Sequence, residues 1–258
     1  MEAFVRSFGP LGVAESAMAP CYGMAEATLA ITLPVPGTRP HCLSVHRAEL
    51  QPGQEIQLMP SHSPESIRLV AVGAPVPGME LKIVSEEGAS LPAGYLGEIV
   101  VRGPSLTTGY RDDPAATRSA LRDGWLHTGD LGFLHEEALY VAGRLKDMIS
   151  VRGRNFYPDD VEHAVGRVPD VYRGRCVAIP HPLQERMAVV VETALSAQDA
   201  SRDHLVNRIE RELAGSLGLS AVRVHLVPPR SLPRTSSGKW QRHKIRDLLP
   251  SLEADDKE

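Results

Sequence analysis

The sequence predicts a mixed α/β and α+β protein in two parts, and three observations predict it. Between Ile67 and Arg144, short apolar runs (RLVAVG, MELKIV, GEIVVRG, WLHTGDLGFL, ALYVAGR) alternate with turn signals, the rhythm of a small barrel or twisted sheet. After Arg144, strand-like runs (CVAIP, AVVVETAL, VRVHLV) are interspersed with helical stretches, the mixed order of a compact α+β unit. The length, 258 residues, suits one large domain or two modest ones with a real hydrophobic core.

Taken in order, Phe4, Val5, Phe8 and Leu11 recur at helical spacing and predict an amphipathic helix at the start. A Gly/Met/Ala-rich stretch, CYGMAEATLAIT, precedes a Pro/His/Ser-rich region from Pro34 to Pro64. One helix interrupts the β-rich part, with Asp113 as its cap and Pro114 in its first turn. The boundary is expected at Leu145-Lys146-Asp147, giving parts 1–145 (subdivided 1–65 and 66–145) and 146–258. Beyond it, DMISV reads as a strand, and Pro158 with Asp159, Asp160 and Glu162 opens a helix. Residues Arg202 to Leu217 form a helix whose Leu205, Val206, Ile209, Leu213 and Leu217 share one face. A polar loop crosses Pro228 to Gly238, a short helix ends near Leu249, and EADDKE reads as a disordered tail.

Composition narrows the classes. Hydrophobic residues at 42% and charged ones at 23% exclude a disordered, collagenous or coiled-coil chain. A net charge of −4 gives no basic excess for nucleic acid or an anionic membrane. No apolar run approaches the ~20 residues a membrane helix needs, and the first residues lack a signal-peptide pattern. The three cysteines Cys21, Cys42 and Cys176 are odd in number and widely spaced, which argues against a disulfide framework or zinc site and for a reducing cytoplasm.

Four local features carry candidate chemistry. The loop PRTSSGKWQR offers small residues with available backbone N–H groups before Lys239, a point charge suited to a phosphate or carboxylate, or else an exposed connector. It is not a P-loop, because Trp240 follows the lysine and the earlier glycine is absent. WLHTGDLG places Asp130 at a glycine turn between two strands, where a carboxylate binds vicinal hydroxyls or makes an Asx-turn. Glu26, a lone acid in an apolar small-residue stretch, would hold a metal ion or sit at a helix start. GRLKDMISVRGRNFYPDDVE has four basic residues around its glycines and by itself reads as a solvated loop.

In order and spacing these features resemble the adenylate-forming superfamily. The Tyr-Gly-x-x-Glu segment, GEIVVRGPSLTTGY, the Thr-Gly-Asp turn, the Gly-Arg-x-Lys-Asp junction and the terminal Gly-Lys loop follow the family's sequence from about Phe4 to Leu249. The likeness is greatest to fatty acyl-AMP ligases, from Ala25 before Glu26, the continuation Ala27-Thr28-Leu29, and RGRNFYPDDVE. Residues 34–64 leave room for the insertion that sets those ligases apart and is thought to hinder CoA-dependent chemistry, or they are a variable surface loop. The resemblance implies the C-terminal part of the adenylate-forming fold: a partial large domain with a β-barrel-like subdomain, then a small mobile α+β domain. It implies activation of a fatty acid with ATP and Mg2+, then transfer to the phosphopantetheine of an acyl carrier protein, in the cytoplasm. Lys239 would bridge carboxylate and α-phosphate, and Glu26 would hold magnesium. Tyr22, with Gly23 beside it, would stack on adenine, Asp130 would take the ribose hydroxyls, and Arg144 would assist there. Lys146 would be the hinge and Gly153 would let the pantetheine arm pass.

Family members are more than twice as long, with a phosphate loop upstream of Tyr-Gly that the 21 residues before Tyr22 lack. The expectation is therefore a segment inactive by itself, completed by a missing N-terminal half. Smaller departures are His127, where arginine is common, and Ser150, neither expected at an essential position. The alternatives are a long-chain acyl-CoA synthetase, or a non-catalytic module that binds a carrier protein.

Overall fold

The computed structural model describes all residues except 48–49, 62, 64–65, 182–185, 237 and 256–258. The chain divides into two compact units, Met1–Lys146 and Asp147–Glu258.

The first unit opens with helix α1 (Glu2–Phe8) and continues through strands β1 (Tyr22–Gly23), β2 (Ala30–Leu33), β3 (Cys42–His46), β4 (Ser66–Val70) and β5 (Ala74–Pro75). Then come β6 (Glu80–Val84), β7 (Gly97–Arg102), α2 (Pro114–Ala120), β8 (Leu121–Arg122), β9 (Trp125–His135) and β10 (Ala138–Arg144). Strands β10-β9-β7-β6 make an antiparallel sheet with β8 against β9, while β1-β2-β5 and β3-β4 form smaller sheets. The alternation visible in the sequence sets the inner face: Ile83, Ile99, Val101, Leu126 and Leu139 bury together with Tyr22 and Ile31 of the first small sheet and Ala27 from the turn between them. Asp113 caps α2 as expected, its carboxylate accepting the Ala116 N–H at 2.8 Å.

Several described residues between 42 and 59 are tied to neighbouring strands and loops. β3 pairs with β4, and the chain after it returns to bond Met59 N–H to Ser44. Gly53 and Ile56 donate to the carbonyls of Leu96 and Gly94, and Val45 and Leu50 are buried. A segment whose backbone donors find acceptors in two neighbours loses little to solvent exchange.

In the second unit β11 (Ile149–Val151) and β12 (Arg154–Phe156) form a hairpin, followed by α3 (Pro158–Gly166) and β13 (Val171–Pro180). Next are β14 (Met187–Thr193), α4 (Ser201–Leu217), β15 (Val222–Val227) and α5 (Arg242–Asp255). β13 and β14 pair antiparallel and β14 and β15 parallel, so α4 serves as the crossover that a parallel pair requires. Leu205, Ile209, Leu213 and Leu217 bury the face of α4 read from their spacing, and Val206 packs at its edge. β14 is buried along its whole length because helices cover one face and α5 the other.

Three expectations change. The Thr-Gly-Asp segment is not a turn between two strands: β9 runs unbroken from Trp125 to His135, and the glycine serves a bulge within it. The strand β12 went unread because RGRNF has no apolar run. The last helix does not end at Leu249. It carries Pro250 inside it to Asp255, because Leu252 packs on the core of Val177, Ile179 and Leu249 and Glu253 reaches His181 at 2.5 Å. Of the expected tail, residues 256–258 lie outside the described residues.

Candidate functional site

The first unit brings Tyr22, Asp130 and Arg144 together. Asp130, only 7% exposed, uses both oxygens: Oδ2 accepts the Tyr22 hydroxyl at 2.7 Å and Oδ1 accepts Arg144 Nε–H at 2.7 Å. Arg144 ends β10 directly opposite Asp130 on β9, so the β9–β10 register brings that pair together. Burial of the Tyr22 phenol and the neighbouring Asp130 carboxylate drive its ionisation far above the usual tyrosine range. Tyr22 is therefore a fixed donor at any ordinary pH. The arrangement leaves a largely buried carboxylate, half neutralised by a guanidinium, with lone pairs free to accept further hydroxyl donors.

Gly23 is dictated by packing. A Cβ there would lie 1.8 Å from the Leu29 carbonyl oxygen, so only glycine lets β2 close on β1 at this irregular register. The approach is made by a tight three-residue turn, in which Leu29 N–H donates to Ala27 at 2.8 Å and Thr28 takes φ 69°. A β-branched residue in that region stores strain, and the Thr28 hydroxyl offsets some of it by donating to Ser105. Glu26 stands one turn earlier in a short 3-10 segment, Ala25–Ala27. Its Oε1 accepts the Tyr110 hydroxyl at 2.9 Å and its carbonyl the Thr107 N–H at 2.7 Å. Burial and Glu26 raise the ionisation of Tyr110 while Arg144 lowers it, so Glu26 and the Asp130 pair share an electrostatic neighbourhood. Among the described residues no group of three or more His, Cys, Asp or Glu gathers as a metal site. One hard carboxylate is nevertheless what Mg2+ ordinarily takes from protein when substrate phosphates supply other ligands.

Sequence reasoning missed Tyr110, Glu98 and Thr128. Tyr110 lay within the quoted GEIVVRGPSLTTGY but had no partner until the fold brought Glu26 to it.

Lys146 is exposed in the 3-10 turn Leu145–Asp147. In the second unit, Gly153 and Arg152 both have positive φ and form the two-residue turn of the β11–β12 hairpin, which accounts for the glycine by itself. The space beside Gly153 is open. Lys239 is exposed on a loop held by its own bonds. Its N–H reaches Thr235 Oγ1 at 3.0 Å, its carbonyl accepts the Thr235 N–H at 2.8 Å, and the Arg234 guanidinium stacks 3.4 Å over the Trp240 ring. Immediately after the loop, Arg242 anchors α5 to α3 by ion pairs with Glu162 and, at 3.2 Å, Asp159.

Two family profiles match this chain: AMP-binding enzyme over residues 1–111, and AMP-binding enzyme C-terminal domain over residues 153–246. The chain belongs to the AMP-binding, adenylate-forming enzymes. Within the family it is similar to the long-chain-fatty-acid–AMP ligase FadD26 of Mycobacterium tuberculosis, 32% identical over 93% of this chain and 44% of that protein. It is also similar to the medium-chain-fatty-acid–(acyl-carrier-protein) ligase JamA of Moorena producens, 32% identical over 95% of this chain and 44% of that protein. FadD21 of M. tuberculosis, named as a fatty-acid–CoA ligase, is 33% identical over 93% of this chain and 44% of its own. A structure from a study of fatty acyl-adenylate ligases of E. coli and L. pneumophila superposes with a TM-score of 0.85 at 29% identity, over 97% of this chain and 45% of that one. The chain thus spans less than half the length of the relatives it matches.

Proposed function

We propose that this adenylate-forming chain takes part in fatty acyl-AMP ligation, binding the nucleoside through its first unit and presenting the lysine of the phosphoryl-transfer step from its second. The reaction is attack of a fatty carboxylate on the α-phosphate of ATP, forming acyl-AMP and releasing pyrophosphate. The acyl group then passes to the thiol of a phosphopantetheine on an acyl carrier protein, with AMP as leaving group. The observation that carries the reading is Asp130, buried, fixed by Tyr22 and Arg144, and with lone pairs to spare for two vicinal ribose hydroxyls. Tyr22 presents its ring beside that carboxylate, in keeping with a wall for adenine. Glu26 would hold Mg2+, which supplies charge neutralisation at the phosphates. Lys239, on its braced loop, would bridge the incoming carboxylate and the α-phosphate, Lys146 would be the pivot of the small domain, and the open side of Gly153 would admit the pantetheine arm.

Two findings favour a carrier protein over CoA as acceptor. Within the stretch 34–64, Gly53 and Ile56 are tied by backbone bonds to Leu96 and Gly94, and JamA, similar over 95% of this chain, carries a carrier-protein ligase name.

The test is acyl-AMP formation from Mg-ATP and a mixture of fatty acids by the purified chain, read by mass spectrometry. No product is expected from the chain alone, since the family's phosphate loop is not among the residues before Tyr22. With the N-terminal half of a fatty acyl-AMP ligase supplied in trans product is expected, and Lys239→Ala should reduce it by about 10²–10³-fold, the usual loss for one preorganised charge contact. Product that survives Lys239→Ala unchanged would contradict the assigned role, and a folded chain forming none even when so complemented would leave a binding module.

A further inference from the structure

Asp130 owes its aim to a local break in strand pairing. Val100 of β7 lies opposite His127 of β9, but Glu98, two residues earlier, lies opposite Leu131, so β9 carries extra residues at Thr128–Asp130. Two residues are extra, so closing the bulge would leave Asp130 on the same face of the sheet but shift it by two positions, about 7 Å, relative to β7. Asp130 stays opposite Arg144 of β10, but on the β7 side the ladder is interrupted, so other groups hold the bulge there. Gly129 adopts φ 70°, Thr128 Oγ1 donates to the Ile99 carbonyl at 2.7 Å, and Asp130 N–H donates to Thr128 Oγ1 at 3.0 Å. The remaining donor, Gly129 N–H, goes to a side chain, Glu98 Oε1, at 3.0 Å. The other oxygen of Glu98 is gripped by His127 Nδ1 at 2.8 Å, and both side chains are less than one-fifth exposed.

We infer that Glu98, clamped by His127, is a positioning residue for Asp130: it fixes the bulge that sets where the Asp130 carboxylate stands beside Tyr22, Arg144 and the nucleotide hydroxyls. The nucleotide part rests on the function proposed above; the positioning of the bulge does not. The hydrogen bonds of Glu98 go to the Gly129 peptide and to His127, so its effect on binding would pass through the Gly129 peptide. His127 therefore has work of its own in this chain, contrary to its expected irrelevance as a departure from arginine.

The experiment pairs a nucleotide-independent readout with a double-mutant cycle on the full chain. Amide hydrogen exchange of Gly129 and Asp130, followed by NMR, should accelerate at least about tenfold in Glu98→Ala, which leaves a half-buried donor without its acceptor. Glu98→Gln, whose amide oxygen still accepts from Gly129, should keep protection. Calorimetric titration with AMP should show about tenfold weaker binding for Glu98→Ala, near wild-type binding for Glu98→Gln, and no further loss when Glu98→Ala is added to Asp130→Ala. If wild type binds no AMP while Glu98→Ala still exposes Gly129, the positioning stands and the nucleotide reading falls. Unchanged Gly129 exchange in Glu98→Ala, or a loss of AMP affinity that adds fully to that of Asp130→Ala, overturns the inference.

Discussion

Cys176 shows how burial alone decides a residue's chemistry. It lies in β13 with its thiol directed at the Glu162 carbonyl at 3.3 Å, and burial, with Glu162 next, pushes it up to about 12 from 9.0. The thiol therefore stays protonated and unreactive, whereas Cys21 is exposed. Iodoacetamide at about pH 8 is expected to label Cys21 and spare Cys176 in the folded chain, read by peptide mass spectrometry; rapid labelling of Cys176 would contradict its burial. The same shift has a stability consequence. Above pH 9 the unfolded thiol loses its proton while the folded one keeps it, so the unfolded state binds fewer protons and stability falls as pH rises toward 12. The slope from this group is at most about 1.4 kcal/mol per pH unit. Urea midpoints at about pH 8 and about pH 10 should differ less in Cys176→Ala than in wild type. Tyr22 and Tyr157, both raised by burial, extend the decline at higher pH. None of these environments is readable from a sequence: Tyr22 and Asp130 are 108 positions apart, and the local context of each allowed a bland reading.

At the scale of elements, legibility followed periodicity. The apolar face of α4, the strands of the main sheet and the cap of α2 were readable because one residue type repeats at 3.6 or 2, or because a single side chain does the capping. What was not readable depends on partners elsewhere: β3 amid prolines and histidines, the unbroken course of β9 through Thr-Gly-Asp, and α5 continuing past Pro250 on contacts with β13 and His181. Two substitutions test the braces that hold these elements. Gly23→Ala should destabilise the first unit by about 1–3 kcal/mol, since its methyl would overlap the Leu29 carbonyl and force β1 and β2 apart. Thermal melting followed by Tyr and Trp signals would detect it; an unchanged transition would show that the β1–β2 approach is not required. Arg242→Ala should cost about 3 kcal/mol in the second unit, because it strands the largely buried Glu162 carboxylate, which would keep the Ala178 N–H at 3.0 Å. Burial already raises the Glu162 ionisation against the pull of Arg242, so losing Arg242 should raise it further and make the variant less handicapped at acid pH than at neutral pH.

For the whole molecule, the family placement rests on motifs whose order survives across both units, while the site they build depends on distances no motif contains. The first 35 residues also expose large apolar side chains, among them Phe4 and Phe8, in ring contact at 4.5 Å, with Leu11, Leu29, Leu33 and Val35. Exposed surface of this kind promotes association. Light scattering should show concentration-dependent self-association that Phe4→Ser with Phe8→Ser reduces, and a monomer at all concentrations would contradict this. No helix among the described residues is long and apolar enough to cross a membrane. The central claim is that Tyr22, Asp130 and Arg144 form a nucleoside site. It is tested most directly by calorimetric titration of the purified chain with a non-hydrolysable acyl-adenylate mimic, alongside Asp130→Ala. The account predicts saturable one-to-one binding that Asp130→Ala weakens about ten- to a hundredfold, as expected for the loss of hydrogen bonds to a charged acceptor. Equal binding by the two proteins, or none by folded wild type, would contradict it.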